Sequence, residues 1–457
     1  MLRKALGCVL IICLGQALWA DDVAPVKEDA ASAEAKLETT RRDTIRYGID
    51  SEISELITKL TSERDGRYNA DLLEILKASR SPKLRIAVLD FFASLEWKDG
   101  ESVAIGLVDD RDANDSDLVS SALAYLAAIR SKEAMKFSQP IIKEDNKKLL
   151  PSLVKLMGKA GGEDEVKLLL DWFDGDTATP ALKEEVIKAL GEIGSKSASP
   201  RLEKLVQDTE GGKVARMYAC TALGQIKSDS SVGPLVKASV DSDPNVRTSA
   251  IEALGSFAGS SSSGAEEASG AIVQALRDSY VKARIAACKA AASGSVAAAV
   301  PFLKYKVQSD PENAVKSEAI RSLATMGGDN FAFLRERLED KKEDDSIRIL
   351  AFGLLCRYDP QGSLSTLETR LKAEAAEKER SFYTSLAREV ANADKAPGIA
   401  SLARILASDQ EYLIRIAAIE WARKTKAPDF KADLENMAKD DPSDMIKKRA
   451  AAALKEY

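Results

Sequence analysis

A unit that recurs every 31 to 39 residues along almost the whole chain most constrains the fold. Its clearest copy is marked by Arg247, and we term the equivalent residue of each copy its reference position. The reference positions are Arg46, Arg85, Val119, Leu150, Lys183, Arg216, Arg247, Arg284, Lys316, Arg348, Arg380, Arg415 and Lys447. A period in the low thirties predicts a solenoid, in which each unit buries its apolar face against the next.

Each copy contains a helix whose ends are marked in the sequence. In residues 241–255, Asp243 is a suitable N-cap and Pro244 suits the first helical position, where no amide hydrogen is needed. Gly255 suits a left-handed C-terminal cap. Apolar residues between these ends share one face at helical spacing. Because another amphipathic segment precedes each such helix, the predicted unit is a helical hairpin.

An acidic residue recurs six places before the reference position, as in Asp241. This turn acid and the Val-Arg-x-x-Ala-x-x-Ala-Leu-Gly pattern of residues 246–255 resemble HEAT repeats. The short period is most similar to the phycobilisome-lyase type. The resemblance implies an all-α, right-handed α-α superhelical solenoid of about 12–13 helical hairpins, forming one domain over residues 44–457. It also implies bonds between the turn acids and the basic residues of neighbouring repeats.

The regular spacing favours a structural ladder over a ligand site, since ligand sites do not normally recur in every repeat. Within this ladder we expect Arg247 to couple with Asp241 of its own turn. The ladder residues are Asp241, Arg247, Asp278, Arg284, Asp310, Lys316, Asp409, Arg415, Asp441 and Lys447.

The N-terminus resembles an export signal. A basic start precedes the mostly apolar run from Ala5 to Ala20, which predicts a signal peptide over residues 1–20 with cleavage after Ala20. The run is short for a membrane span, although an uncleaved anchor is the alternative. Residues 21–43 have almost no apolar content, so we expect a flexible charged tether. The expected location is the periplasm or cell envelope.

The charge balance excludes a nucleic-acid partner. The chain has 66 basic and 72 acidic residues, and removal of residues 1–20 takes away Arg3 and Lys4. The remaining 64 basic residues against 72 acidic ones give a net charge of −8. Phosphate binding calls for basic stripes, so this composition argues against nucleic acid. After residue 20, no stretch is apolar enough to cross a bilayer.

The residue content also argues against catalysis and metal binding. The chain has no histidine, which removes the commonest general base and transition-metal ligand. Cys220, Cys288 and Cys356 are scattered, so a zinc site or a disulfide is not expected. The acidic residues at 110–117 lack the central glycine and final glutamate of a calcium loop. We therefore expect no catalytic residues, no cofactor and no metal.

The predicted function is a non-enzymatic scaffold that holds a protein or peptide on its surface. At 100° per residue, the position after each reference residue lies about 160° from the centre of the buried face. Apolar residues there predict a partner-binding row, comprising Tyr47, Ile86, Met217, Ile285, Ile349 and Ile416. Packing on the next repeat is the alternative for this row. Two other functions remain open, a phycobilin-lyase-like enzyme or subunit and a membrane-tethered spacer.

Overall fold

The computed structural model describes residues 30–175, 179–210, 212–377 and 380–457. Within these ranges the chain forms 26 α-helices and six short 3-10 helices, without a β-strand, so the protein is an all-α solenoid. None of the described helices is long and apolar enough to cross a membrane. The predicted signal peptide and residues 21–29 of the tether lie outside the described ranges.

The described part of the chain divides into two compact units, with the boundary between residues 103 and 104, and we describe them separately. In the first unit, two hairpins pair α1 with α2 and α3 with α4. Their helices are α1 (Ala30–Tyr47), α2 (Asp50–Glu63), α3 (Asn69–Ala78) and α4 (Pro82–Leu95).

The prediction of a flexible tether is wrong for residues 30–43, because they form most of α1. Arg41 on this helix is only 4% exposed, and its guanidinium lies 2.7 Å from the Glu63 carboxylate and 3.0 Å from that of Asp65. These ion pairs tie α1 to the last residue of α2 and to the turn that follows it. The low apolar content of the segment hid this helix, since charged contacts hold part of it.

The second unit continues the pattern of alternating first and second helices. Its first helices are α5 (Glu101–Asp109), α7 (Ser138–Glu144), α9 (Glu163–Asp174), α11 (Ser199–Gln207), α13 (Val232–Ala238), α15 (Ala265–Ala275), α17 (Val300–Ser309), α19 (Asn330–Glu339), α21 (Leu364–Ala375), α23 (Ile399–Ala407) and α25 (Lys431–Asp440). Its second helices are α6 (Ser116–Ala128), α8 (Leu150–Ala160), α10 (Pro180–Ile193), α12 (Lys213–Ile226), α14 (Pro244–Ala258), α16 (Val281–Ser293), α18 (Asn313–Met326), α20 (Asp345–Tyr358), α22 (Ser381–Asn392), α24 (Tyr412–Thr425) and α26 (Asp444–Leu454).

Two layers result from this alternation. Each second helix from α6 onward packs against the second helices of the neighbouring repeats, and several first helices pack on one another in the same way. On α14, the buried face includes Val246, Ala250 and Leu254, which are completely shielded from solvent. Because a lone hairpin would leave this apolar face exposed to solvent, stacking of the repeats supplies most of the stability.

The start of α14 follows the sequence prediction, but its end does not. The Asp243 carboxylate caps the helix by accepting hydrogen bonds from the amides of Asn245 and Val246 at 2.8 and 3.3 Å. Pro244 is the first helical residue. Gly255 is not the C-terminal cap, since α14 continues to Ala258. A Cβ on Gly255 would lie 2.9 Å from the Ala290 Cα, so this glycine permits close packing of α14 on α16.

The same contact recurs between four consecutive pairs of second helices, and we term it the glycine seam. In each pair, a glycine eight places after one reference position contacts an alanine six places after the next reference position. The pairs are Gly158 with Ala189, Gly191 with Ala222, Gly224 with Ala253, and Gly255 with Ala290. The glycine therefore lets the two backbones approach.

The structure moves two of the predicted reference positions. Arg46 lies in α1, a first helix, and Ile53 occupies the fourth place of α2, as Arg85 does in α4. Arg380 precedes α22. The pattern of buried residues on α22 matches that of the other second helices when Tyr383 is taken as the reference position. Both errors arose where a basic residue stood near, but not at, the repeated place.

The three cysteines are free and buried, and for Cys220 and Cys288 this agrees with their place four residues after a reference position. Burial raises the pKa of the Cys220 and Cys288 thiols to about 12. Burial also raises the pKa of the Cys356 thiol. These thiols are therefore packing residues of the second helices and poor nucleophiles at neutral pH.

Candidate functional site

The reference arginines form ion pairs with the turn acid of the following repeat. The Arg247 guanidinium donates to the Asp278 carboxylate at 2.8 and 2.9 Å, and to the backbone carbonyl of Asp241 at 2.8 Å. The Asp241 carboxylate instead pairs with Arg216 of the preceding repeat. The expected coupling of Arg247 with the Asp241 side chain is therefore wrong, because each turn acid faces the repeat before it.

Similar pairs join other repeats of the second unit, whereas Arg348 pairs mainly with Asp345 of its own helix at 2.6 Å and lies 3.8 Å from Glu374. The inter-repeat pairs are Arg216–Asp241, Arg247–Asp278, Arg284–Asp310, Arg380–Asp409 and Arg415–Asp441. Lys316 and Lys447 are half-buried and form no ion pair with another described residue. Since the paired side chains are largely buried, their main role is to join neighbouring repeats.

The pairing changes the acid–base behaviour of the turn carboxyls. Burial alone raises the pKa of Asp278, but hydrogen bonds from the Arg247 guanidinium and the Tyr280 amide outweigh it and leave the pKa below its ordinary value. The pKa values of Asp241 and Asp310 are lowered by the same balance. A carboxyl whose pKa is depressed by folding stabilises the folded state above its unfolded pKa, and this contribution is lost as the pH falls through the folded pKa.

We therefore expect the unfolding free energy of the full chain to fall as the pH drops below about 4, the ordinary aspartate value. Asp278→Asn should lower stability at pH 7 and flatten this acid dependence, as measured by urea unfolding across pH. Asp229→Asn, at an exposed turn position, is the control and should leave both nearly unchanged. In a double-mutant cycle Arg247 should couple to Asp278, and a larger coupling to Asp241 would contradict the inter-repeat pairing.

The predicted partner-binding row does not point freely into solvent. Tyr47 is 75% exposed but lies at the end of α1 and not on a second helix. The other five residues are half-buried, namely Ile86, Met217, Ile285, Ile349 and Ile416. They lie seven residues before the place of the seam glycine. Seven residues turn a helix by about 700°, which is about 20° short of two full turns, so both places lie on nearly the same face. In the second unit the row therefore faces the next second helix, which matches the alternative of packing between repeats.

The exposed surface of the second helices lies at two other places in the repeat. Residues five and nine places after the reference position are about 40° apart on the helix and share one face. We term these residues of the second unit the second-helix stripe, and most of them are polar or charged. From α8 to α24 they are Lys155, Lys159, Lys188, Glu192, Thr221, Gln225, Glu252, Ser256, Lys289, Ser293, Arg321, Thr325, Gly353, Arg357, Arg388, Asn392, Glu420 and Lys424.

The small residues of the seam are replaced further along the second unit. The place of the seam alanine is taken by Ser322 on α18, Leu354 on α20 and Glu389 on α22. Ser322 still bridges to α16 through a 2.9 Å hydrogen bond to the Cys288 carbonyl. Larger side chains at a helix contact hold the two axes further apart. A cavity lies where these larger residues occur.

This cavity has a volume of about 540 Å³ and is lined by α18, α20, α22 and α24. Arg321 and Arg357 of the second-helix stripe lie on its wall, together with Glu318 and Glu389. The Glu389 carboxylate reaches over Gly353, which has no side chain to obstruct it. Burial raises the pKa of Glu389 above its ordinary value, so its negative charge is disfavoured.

A second charged pair in the cavity is internally neutralised. Lys424 donates to the Asp394 carboxylate at 3.1 Å and to the Asn392 carbonyl at 2.6 Å. Arg321 and Arg357 form no ion pair with a described residue, although the Arg357 charge also helps to lower the pKa of Asp394. Since an arginine side chain keeps its charge at any physiological pH, the cavity is better suited to an anionic group than to a cationic one. The described residues contain no cluster of acids and thiols suited to a metal ion.

A family model described as spirochaete HEAT repeat protein matches residues 45–453. The chain belongs to this HEAT repeat family. No curated protein matches the chain.

Several solved structures are similar to the chain at low sequence identity. The CpcE–CpcF phycocyanin lyase complex of Nostoc sp. PCC7120 is 20% identical, with coverage of 35% of this chain and 98% of that one, at a TM-score of 0.30. YibA of Escherichia coli is 18% identical, with coverage of 65% and 93%, at a TM-score of 0.37. Kap95p, in a structure with RanGDP, is 12% identical, with coverage of 93% and 67%, at a TM-score of 0.45. These likenesses carry no conclusion about activity or partners.

The sequence prediction did not identify the stripe residues as a surface of these HEAT repeats. Comparison of residues five and nine places after each reference position would have shown their polar character. The error at Arg380 hid part of the pattern, because that numbering places Ser385 and Glu389 in the stripe. With Tyr383 as reference, Arg388 and Asn392 take those places, and both are exposed.

Proposed function

We propose that this HEAT repeat protein is a non-enzymatic scaffold of the bacterial cell envelope, and that it holds a protein or peptide partner on the second-helix stripe. The observation that carries this proposal is that each second helix packs with one face and exposes another. The seam and the ladder contribute to the packing between repeats, whereas most of the stripe side chains are exposed. A repeated surface of this kind offers many weak contacts to one extended partner.

The envelope location rests on the N-terminal sequence. A basic start, the apolar run from Ala5 to Ala20 and a small residue at the expected cleavage site favour export. Intact mass of the protein recovered from the envelope fraction should correspond to a chain that begins at Asp21. Recovery of the protein only from the cytoplasm would contradict this part of the proposal.

The binding surface is tested by site-specific photo-crosslinking in native envelopes. A photoreactive residue at Thr221, on the stripe of α12, is expected to give a discrete crosslinked product with a partner protein. The same residue at Lys204, which is exposed on first helix α11, is the matched control. Crosslinking from Lys204 but not from Thr221 would place the partner on the other layer, and no product from either position would contradict the scaffold role.

A further inference from the structure

The second-helix stripe is basic over four consecutive repeats. Each of α16, α18, α20 and α22 contributes one exposed cation at a stripe position, and no stripe position on these helices carries an acid. We term these residues the basic segment, comprising Lys289, Arg321, Arg357 and Arg388. None of the four forms an ion pair with another described residue. This contrasts with Lys159 earlier in the stripe, whose charge is paired with Glu192 at 2.7 Å.

The basic segment is unusual because the chain as a whole is acidic, with a net charge of −6. A surface cation is normally solvated, and one such residue would carry no inference. Here one such residue lies on each of four consecutive second helices, and two of them, Arg321 and Arg357, lie on the wall of the 540 Å³ cavity. A carboxylate that enters the cavity can accept two hydrogen bonds from one guanidinium, which is the strong geometry for such pairs.

We propose that the basic segment binds an acidic, extended stretch of a partner protein, with one carboxylate for each repeat and the deepest contact in the cavity at Arg321 and Arg357. This inference rests on the proposed scaffold function and names the chemistry of its partner. Packed helices lie ~10 Å apart, and an extended chain rises ~3.3 Å per residue. An acidic side chain at every third position therefore matches the spacing of the four cations.

The acids near the basic segment restrict the partner further. Glu318 and Glu389 lie on the cavity wall, and Glu420 follows on α24. Burial raises the pKa of Glu389 above its ordinary value. The Lys424–Asp394 pair neutralises the far side of the cavity. The attractive region therefore ends near α22, and we expect the acidic stretch to span about ten residues.

The test uses the full chain and two fluorescent ten-residue peptides of glycine, serine and four glutamates. In the first, glutamates occupy the first, fourth, seventh and tenth positions, whereas in the second all four are contiguous. Fluorescence anisotropy at low salt should show tighter binding of the spaced peptide, and a peptide with glutamine at the four positions should not bind. Equal binding of the spaced and contiguous peptides would overturn the proposal, as would tighter binding of a lysine-substituted peptide.

The variant Arg321→Gln/Arg357→Gln should weaken binding of the spaced peptide by about tenfold or more, since both cavity cations are lost. Lys341→Gln/Lys342→Gln is the matched control, because it removes the same charge from two exposed residues. These residues lie just before the N-terminal end of α20, whereas Arg357 lies at its C-terminal end. This control should bind within about twofold of the parent chain. Similar losses in both variants would show only general attraction and overturn the proposal. Melting curves verify that both variants are folded.

The outcome is separable from that of the scaffold function. Thr221, the crosslinking position above, lies on α12 and outside the basic segment. If Thr221 crosslinks a partner and the acidic peptide fails to bind, the scaffold function stands and the proposed partner chemistry is wrong. If the spaced peptide binds and no envelope partner is crosslinked, the recognition chemistry stands and the scaffold function fails.

Discussion

Replacing Arg415 with alanine is expected to lower the unfolding free energy by about 3–5 kcal/mol, the usual loss when a buried ion pair is broken on one side. The Arg415 guanidinium donates to the Asp441 carboxylate at 2.8 and 2.9 Å, and to the Asp409 and Gln410 carbonyls at 2.8 and 2.9 Å. The side chains of Arg415 and Asp441 are 6% and 4% exposed. The substitution therefore leaves a buried carboxylate without its cation. Urea unfolding of the full chain measures the loss.

The control for this substitution lies on the same helix. Arg423 on α24 is 53% exposed and forms a 3.2 Å ion pair with Glu420. Because exposed pairs contribute little, Arg423→Ala should cost less than about 1 kcal/mol. The loss of stability for Arg415→Lys should lie between these two values, since lysine keeps the positive charge but cannot form the bidentate hydrogen bonds. Equal losses for Arg415→Ala and Arg423→Ala would show that the ladder pair adds nothing beyond a surface contact.

Replacing Gly224 with alanine is expected to destabilise the chain by about 1–3 kcal/mol, the usual cost of overpacking. A Cβ at this position would lie 2.9 Å from both the Cα and the Cβ of Ala253. Neither atom can rotate away, so α12 and α14 must move apart. This cost opposes the preference of ~1 kcal/mol for alanine over glycine within a helix. Thermal and urea unfolding of the full chain measure the balance.

Gly270→Ala provides the matched control with the opposite expected sign. Gly270 lies inside first helix α15, and nothing lies within 4 Å of the Cβ that alanine would add. The substitution should stabilise the chain by about 0.5–1 kcal/mol, because alanine loses less backbone freedom on folding. If both glycine substitutions changed stability in the same direction, the glycine seam would not be a site of close packing.

Local sequence features determined the class of fold and the unit from which it is built. Apolar residues at helical spacing, a period in the low thirties and a cap such as Asp243 each act within one hairpin. Their physical consequences therefore need no knowledge of the neighbouring repeat. The burial of Cys220 and Cys288 followed in the same way, because both lie four places after a reference position on the apolar face.

Features that depend on two repeats were visible in the sequence but not interpretable from it. The sequence shows a basic residue at the reference position and an acid six places before it, yet two pairings satisfy that pattern. Arg247 pairs with Asp278 and not with the Asp241 side chain, because the stacking of hairpins brings the later acid to it. Gly255 likewise resembled a helix end, and only the approach of Ala290 shows that it permits close packing.

The candidate binding surface was also decided by the tertiary structure. The residue after each reference position was expected to face outward because it lies far from the buried face of its own helix. In the second unit that direction faces the next second helix, so Met217, Ile285 and Ile349 are half-buried. The stripe became visible only once both neighbours of each second helix were in place. The sequence by itself therefore determined the repeating hairpin, whereas tertiary packing decided which faces of that hairpin are left for a partner, because exposure in a stack depends on the adjoining repeats.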